Sequence, residues 1–125
     1  MDESIARAVA ARFTECLLEG DVEGVDALYH DDVVVWRNID DRELSKRQVM
    51  KVVRFLADNL EGLAYNNIRV RPTQDGYVQQ HILSGTAANG QEVNAHACLI
   101  VTLEDGRIRR LDEYLDGTQI QALMG

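Results

Sequence analysis

The chain has 125 residues, of which 46% are hydrophobic, and it carries a formal net charge of −8 at pH 7. This length and composition predict a single domain with room for a core that needs neither metals nor disulfides. The acidic balance and the lack of a long apolar run argue against nucleic-acid and membrane partners, which need a basic face or a spanning segment.

The first thirty residues carry helical periodicity. Apolar residues from Ile5 to Leu17 fall on one helical stripe, with Ser4 as the predicted N-cap and Gly20 as the C-terminal stop. Asp21 predicts the cap of a shorter second helix that ends within residues 30–32. Two consecutive helices are therefore expected before the first strand.

A short strand and a third helix follow. Residues 33–36 (VVVW) predict the strand, and the polar segment 38–44 predicts a loop that lies over an opening. Ser45 and Gln48 match a capping box, in which each side chain satisfies the backbone N–H near the other. The third helix is expected to end at Gly62.

Three dipeptides, Asp75-Gly76, Asn89-Gly90 and Asp105-Gly106, punctuate the second half of the chain. Because Asp-Gly and Asn-Gly supply the positive φ of tight turns, they predict hairpins between alternating apolar and polar runs. The expected strands cover residues 64–71, 77–86, 91–103 and 107–115.

The third of these strands is long, so a bulge or bend near residues 95–97 is expected to curve the sheet. One last helical turn is predicted over residues 117–124. The expected fold class is α+β: a cone-shaped α+β barrel in which three N-terminal helices pack on a strongly curved antiparallel sheet. A functional site is then expected in the hollow interior.

This order of elements resembles one large group of proteins. Four short segments carry the resemblance. Residues 19–21 (EGD) and 28–33 (LYHDDV) lie near the start of the chain, and residues 105–108 (DGRI) and 112–116 (DEYLD) lie near its end. They are similar to the nuclear-transport-factor-2-like superfamily, nearest to its SnoaL-like branch of polyketide cyclase relatives. The resemblance implies one domain over residues 1–125. It specifies fold better than function, because the group includes isomerases, epoxide hydrolases, cyclases, dehydratases and non-catalytic domains.

The resemblance also argues against steroid isomerisation. In ketosteroid isomerases of this fold an aspartate base works with a tyrosine and a protonated aspartic acid. The matching positions here hold Arg37, Phe13 and Cys98. None of these side chains can do the corresponding chemistry, because arginine cannot take the proton, phenylalanine has no hydroxyl and a thiol donates weakly.

Two other chemistries of the group place an acid on the last strand, at Glu113. Epoxide hydrolases of the limonene type also need an Asp-Arg unit on a middle strand, where this chain has Gln79-Gln80-His81-Ile82. Only His81 remains there as a possible base. Polyketide cyclases need less, because a shaped apolar cavity and one acid–base group supply most of the help.

Glu113 and His81 are the candidate catalytic residues. Alternation along the last strand puts Glu113 between Leu111 and Leu115 on one face. It is therefore either in a partly apolar cavity, where burial raises its pKa, or a rim group paired with arginine. His81 is a structural residue or a partner of Glu113 across the sheet, where the pair would shuttle a proton.

Five further residues are candidates for ligand binding. Trp36 would stack on a planar ligand or fill the core, and Arg37 would orient an anionic or carbonyl group or pair with Asp40 or Asp41. His96 and Cys98 alternate on one face with Asn94 and are expected to line the hollow. Phe13 is expected in the core or the cavity wall.

The sequence thus predicts binding of a small, mostly apolar or carbonyl-bearing molecule, with cofactor-independent acid–base chemistry of the cyclase, isomerase or hydrolase type. The alternative is a non-catalytic ligand-binding or dimeric assembly domain. No cofactor or metal is expected; a zinc site of His81, His96 and Glu113 lacks close ligand spacing. Cys16 and Cys98 are predicted to be buried thiols. The expected partner is a second copy bound through the sheet, in the cytoplasm.

Overall fold

The computed structural model describes residues 2–121 and has an α+β architecture of three helices and one six-stranded sheet. The helices are α1 (Glu3–Glu19), α2 (Val22–Leu28) and α3 (Lys46–Asn59). The strands are β1 (Tyr29–Arg37), β2 (Arg42–Leu44), β3 (Leu60–Pro72), β4 (Gly76–Ala87), β5 (Glu92–Glu104) and β6 (Arg107–Leu115). Within the described range, no helix has both the length and the apolar character that a bilayer crossing requires.

The sheet is mixed, which corrects the prediction of a purely antiparallel one. Its strand order is β2-β1-β6-β5-β4-β3, and β1 and β6 run parallel. The chain leaves β1, forms α3 and a four-strand meander, and returns beside β1 only at its last strand. A parallel neighbour needs such a long crossover, so local patterns do not reveal it. The segment 38–44 is also not only a loop, because β2 pairs with β1.

Some local start and stop signals of the helices are confirmed, and others are wrong. Gly20 closes α1 in the left-handed conformation with φ 68°, and the Ser45–Gln48 capping box opens α3. The N-cap of α1 is Asp2 rather than Ser4: an Asp2 oxygen accepts a 2.8 Å hydrogen bond from the Ser4 backbone N–H. Helices α2 and α3 end earlier than predicted, at Leu28 and Asn59.

The three turn dipeptides mark hairpins for two different reasons. Gly90 and Gly106 have φ values of 84° and 74°, as tight turns require. Gly76 has no positive φ and instead begins β4, where an added Cβ would lie 1.8 Å from the Val101 carbonyl oxygen. Glycine is needed at Gly76 because the neighbouring strand comes so close.

The bulge expected near residues 95–97 is absent. Strands β4 and β5 pair in continuous register, from Gly76 opposite Thr102 to Thr86 opposite Glu92. The register shifts lie in β3, near Thr102 in the β5–β6 pair, and between Tyr29 and Val34 in the β1–β6 pair. A bulge in the predicted place would turn the alternating buried residues of β5 to the wrong face.

The helices cover one face of the sheet, here called the inner face. Helix α1 packs on β3 and β4, and α3 packs on β1. In β5 the residues on the inner face are at most 9% exposed; they are Val93, Ala95, Ala97, Leu99, Val101 and Leu103. The other face, called the outer face, has no helix over it in the described range. The last predicted helical turn, 117–124, extends past residue 121 and lies partly outside the described residues.

Candidate active site

A small cavity lies between the helices and the inner face of the sheet. Its volume is about 60 Å³. Four side chains in its wall carry polar groups: Tyr29, Arg37, Tyr65 and Glu113. The rest of the wall is apolar and comprises Phe13, Leu17, Val35, Leu44, Val49, Val52, Val53, Leu56, Leu99 and Leu111. This is the enclosed, mostly apolar surface with a few convergent polar groups that is typical of a small-molecule site.

Glu113 reaches the cavity because it alternates with Leu111 on the inner face of β6. Its backbone is tied to the residue that follows β1. The Asn38 N–H donates to the Glu113 carbonyl oxygen at 3.1 Å. The Asn38 side chain accepts from the Leu115 N–H at 2.8 Å and donates to the Leu115 carbonyl at 3.1 Å. Asn38 therefore extends the β1–β6 pairing and fixes the strand on which Glu113 sits.

The protonation of Glu113 is governed by burial. Burial raises its pKa to about 7, while the nearby Arg37 charge lowers it and the Asp40 charge raises it again. No side-chain hydrogen bond to the carboxyl is formed within the described part of the chain. At neutral pH such a group is present in both its acidic and basic forms, as general acid–base catalysis requires.

Arg37 lies beside Glu113, because the two residues are register partners in the parallel β1–β6 pair. Its guanidinium donates to Asp40. This ion pair is one of the two roles of Arg37 that the sequence left open. The side chain is only 17% exposed, however, and lines the cavity. Burial alone would raise the pKa of Asp40, but the hydrogen bond and charge of Arg37 hold that pKa below its usual range.

Two tyrosines add hydroxyl groups to the wall. Tyr29 packs edge-on against Phe13, with ring centroids 5.6 Å apart, and so Phe13 is part of the wall as expected. Burial and then the charge of Glu113 raise the pKa values of Tyr29 and Tyr65, which keeps both phenols neutral hydrogen-bond donors. Sequence reasoning did not single out Tyr65. The alternation along β3, which places Tyr65 on the inner face with Leu63, is the sequence feature that could have identified it.

His81 is buried on the inner face but is not a partner of Glu113, which corrects that prediction. Strand β5 lies between β4 and β6, so the two side chains are two strand spacings apart, roughly 10 Å. The His81 ring stacks on Tyr65 at a centroid distance of 3.8 Å. Burial lowers the pKa of His81 to about 4, so the ring is neutral at pH 7.

The polar atoms of His81 belong to a buried chain of hydrogen bonds. The Gln79 amide nitrogen lies 3.1 Å from His81 Nδ1 and donates to the Thr14 hydroxyl at 3.3 Å. Because an amide nitrogen only donates, Nδ1 accepts and the neutral ring carries its proton on Nε2. His81 thus holds the Tyr65 ring in place, and Gln79 and Thr14, which sequence reasoning missed, hold His81.

Three predicted wall residues lie on the outer face instead, so their placement in the hollow is wrong. Trp36 packs against Tyr114 with ring centroids 5.2 Å apart and donates to Asp41 at 2.8 Å. His96 is exposed, and Cys98 is a free thiol that is only partly buried. Alternation assigned His96 and Cys98 to one face correctly, but it did not identify which face the helices cover.

The placement of His96 excludes a zinc site formed by His81, His96 and Glu113. His96 lies across the sheet from His81 and Glu113, so the three cannot surround one ion. Among residues 2–121, no three His, Cys, Asp or Glu side chains are grouped closely enough to hold a metal ion. Cys16 is buried, as expected, and also unpaired.

Solved structures share this fold at low sequence identity. A candidate isomerase from Bacillus subtilis is 16% identical with a TM-score of 0.85, and the match covers 100% of this chain and 96% of that one. A candidate polyketide cyclase from Xanthomonas campestris pv. campestris is 19% identical, with a TM-score of 0.83 and coverage of 98% of each chain. An LEH-like epoxide hydrolase from M. tuberculosis is 20% identical, with a TM-score of 0.78 and coverage of 97% and 90%. At these identities the likeness establishes the fold alone.

Sequence comparison assigns the family. No curated protein gave a significant match. The family model of the SnoaL-like domain matches residues 10–111, which is most of the chain; the match ends within β6, two residues before Glu113. The chain therefore belongs to the SnoaL-like family, within the nuclear-transport-factor-2-like superfamily.

Proposed function

We propose that the cavity binds a small, mostly apolar molecule and that Glu113 performs cofactor-independent acid–base chemistry on it. The reaction would be of the cyclase, isomerase or hydrolase type. One observation carries the proposal: a carboxyl that has no side-chain hydrogen bond among residues 2–121 lines a mostly apolar cavity, and burial raises its pKa to about 7. Groups with burial-shifted pKa values in a cavity are typical of active sites.

The residues around Glu113 suit a carbonyl substrate. As a base, the Glu113 carboxylate would take a proton from a carbon next to the carbonyl, and the electron pair would move onto the carbonyl oxygen. The neutral phenols of Tyr29 and Tyr65 would donate hydrogen bonds to that oxygen. Protonated Glu113 would then return the proton to a different atom, which completes an isomerisation or ring closure.

The family and the sheet support the same class of reaction. Solved relatives include a candidate polyketide cyclase and an epoxide hydrolase. We further propose that the sheet bends into a cone around the cavity. The register shifts between Glu61 and Ala64 and between Asn66 and Arg69 support this, because bulges bend a strand.

The size of the cavity supports a second candidate function. A volume of about 60 Å³ has room for roughly four water molecules, whereas typical ligand pockets measure about 300–1,000 Å³. The substrate is then very small, or α3 moves when it binds. Alternatively the domain is a non-catalytic ligand-binding or assembly module, and the polar wall residues have no substrate to act on.

We also propose that the protein is a cytoplasmic homodimer that packs through the outer face. Ile100 and Tyr114 lie on this face and are 42% and 44% exposed. A shallow depression of about 410 Å³ beside His96 and Cys98 adds surface for a partner. Sedimentation should show a dimer that Ile100→Lys dissociates; a wild-type monomer at micromolar concentration would contradict the proposal.

The catalytic proposal is tested by Glu113→Gln, which keeps the shape and removes the titration. The screen uses small ketones, epoxides and fused aromatics, first for thermal stabilisation and then for turnover. We expect the variant to retain ligand binding and to lose roughly 10²- to 10⁴-fold in turnover. Asp112→Asn is the matched control, because Asp112 is the adjacent residue on the outer face. Equal turnover in wild type and both variants would reject Glu113 as the catalyst.

A further inference from the structure

The Arg37 guanidinium has hydrogen-bonding capacity that the fold does not use. One terminal nitrogen binds Asp40, while the Nε–H is buried and has no acceptor among the described residues. A buried donor without an acceptor costs about 1–3 kcal/mol. An acceptor carried by a ligand in the adjoining cavity would recover that free energy.

The Glu113 carboxyl of the same wall also forms no side-chain hydrogen bond with any of residues 2–121. The groups that face it are Arg37 and Asp40 from β1 and the turn after it, Tyr29 from the start of β1, and Tyr65 from β3. Helices α1 and α3 and strands β2 and β5 present only apolar side chains to the cavity. When Glu113 is protonated, its hydroxyl is a donor beside the positive guanidinium.

We propose that the cavity selects small carboxylates with a short apolar tail. One ligand oxygen accepts from the Arg37 guanidinium, and the other accepts the proton of neutral Glu113 in a carboxyl–carboxylate hydrogen bond. The apolar tail packs against the wall formed by α1 and α3. This inference deepens the proposed function and rests on its assumption that the ligand occupies this cavity.

The arrangement links ligand binding to a proton. With Glu113 ionised, Arg37, Asp40 and Glu113 together carry one negative charge, and a second carboxylate in the cavity would be repelled. With Glu113 protonated, the three groups are neutral overall. Affinity should therefore fall about tenfold for each pH unit above about 7, and binding near that pH should take up protons.

The test compares propionate with propionamide, which has the same shape and no charge. Binding to the intact protein is measured by ligand-observed NMR and by calorimetry in carboxylate-free buffers of different ionisation enthalpy, at pH 6 and pH 8. The expected result is saturable propionate binding at pH 6 that weakens about tenfold at pH 8. Propionamide should bind more weakly than propionate at pH 6 and show no such pH dependence.

Three variants separate the contributions. Arg37→Gln should weaken propionate binding at least tenfold, and Glu113→Gln should keep binding at pH 6 while losing the pH dependence and the proton uptake. Arg110→Gln is the control for loss of an arginine, because Arg110 pairs with Glu43 and Asp112 on the outer face. Circular dichroism checks that each variant is folded.

Several results would overturn the inference. These are propionamide binding as well as propionate, affinity that does not change between pH 6 and pH 8, Arg37→Gln with full affinity, or no propionate binding by folded wild type. If these occur while ketones or epoxides bind and respond to Glu113→Gln, only the carboxylate selection fails. If no ligand of any class responds to Glu113→Gln, the proposed function fails as well.

Discussion

The two faces of the sheet treat the same residue types differently. On the outer face Arg110 binds Asp112 at 3.1 Å and Glu43 at 2.8 Å, and all three side chains are at least 28% exposed. On the inner face Arg37 and Glu113 are neighbours in the sheet, but within residues 2–121 the Glu113 carboxyl has no hydrogen bond and the Arg37 Nε has no acceptor. Adjacent positions of one strand thus hold a paired and an unpaired carboxyl.

This difference indicates which face of the sheet carries an arrangement that lowers the stability of the fold. Pairing exposed charges contributes little to stability, about 0–1 kcal/mol. Leaving a carboxyl unpaired in an apolar cavity is unfavourable, because its ionised form loses water without gaining a partner. The inner face therefore carries a chemical group that stability alone does not explain, which makes it the better candidate for function.

The largest expected effect is the difference in stability between truncating two adjacent apolar residues of β5 that lie on opposite faces. Leu99 is 3% exposed on the inner face, and Ile100 is 42% exposed on the outer face. Leu99→Ala should lower the free energy of unfolding by about 2–5 kcal/mol, because it removes buried contacts and leaves a void. Ile100→Ala should cost less than about 1 kcal/mol. Urea titration at a fixed, low protein concentration measures both, and equal losses would mean that the faces are not distinct.

The second effect is the pH dependence caused by Glu113. The carboxyl ionises near 4.5 in the unfolded chain and near 7 in the fold. Between these values the folded protein keeps a proton that the unfolded chain has lost, so this group lowers stability as pH rises. Glu113→Gln should match wild type below pH 4.5 and exceed it by about 3 kcal/mol above pH 7.

Urea titrations from pH 4.5 to pH 8 measure this difference between wild type and Glu113→Gln. Asp112→Asn provides the comparison on the outer face, where a paired and more exposed carboxyl should not reproduce the gain. A constant difference between wild type and Glu113→Gln across the range would show that Glu113 does not titrate abnormally.

His81 should act in the opposite direction at lower pH. Its pKa is lowered from 6.5 to about 4. Between these pH values the imidazole binds a proton in the unfolded chain but not in the folded protein. Stability from this group is complete above pH 6.5 and is lost as pH falls, by about 2 kcal/mol at pH 5. His81→Phe, which keeps the stacking on Tyr65, should remove that loss. His96→Phe on the outer face is the control, and an unchanged slope in His81→Phe would contradict the assignment.

The smallest effect is expected for the outer-face ion pair. Glu43→Gln removes the 2.8 Å contact with Arg110, whose side chain is 42% exposed. Because water and salt screen such a pair, the change in unfolding free energy should stay below about 1 kcal/mol and shrink further in 1 M salt. A loss of several kcal/mol that persists in salt would mean that this face is covered, as in the proposed dimer.

Local features of the fold were predictable because their causes lie within a few residues. The capping box of Ser45 and Gln48, the left-handed Gly20 and the turn at Gly90 each depend on backbone geometry that neighbouring residues determine. The parallel pairing of β1 with β6 was not predictable in this way. It joins residues 76 or more positions apart, such as Val35 and Leu111, and no local pattern records it.

The candidate site was partly predictable for the same reason. Alternation placed Glu113 with Leu111, and Arg37 and Phe13 also proved to line the cavity. The assignment failed in β5, where both alternating sets contain apolar residues: Ala95 and Ala97 in one, Cys98 and Ile100 in the other. Either set fits a core by composition, so packing of the helices decides which set is buried.

The sequence by itself determined the order of the helices and of every strand except β2, the turns at Gly90 and Gly106, and which side chains share a face of a strand. It also placed an acid with leucines on the last strand. Only the tertiary structure decided which face is covered, that His81 stacks on Tyr65 instead of meeting Glu113, and that Arg37 stands beside the acid. The physical reason is that side-chain alternation is a property of one strand, whereas the free energy of ionising a buried group depends on every element around it.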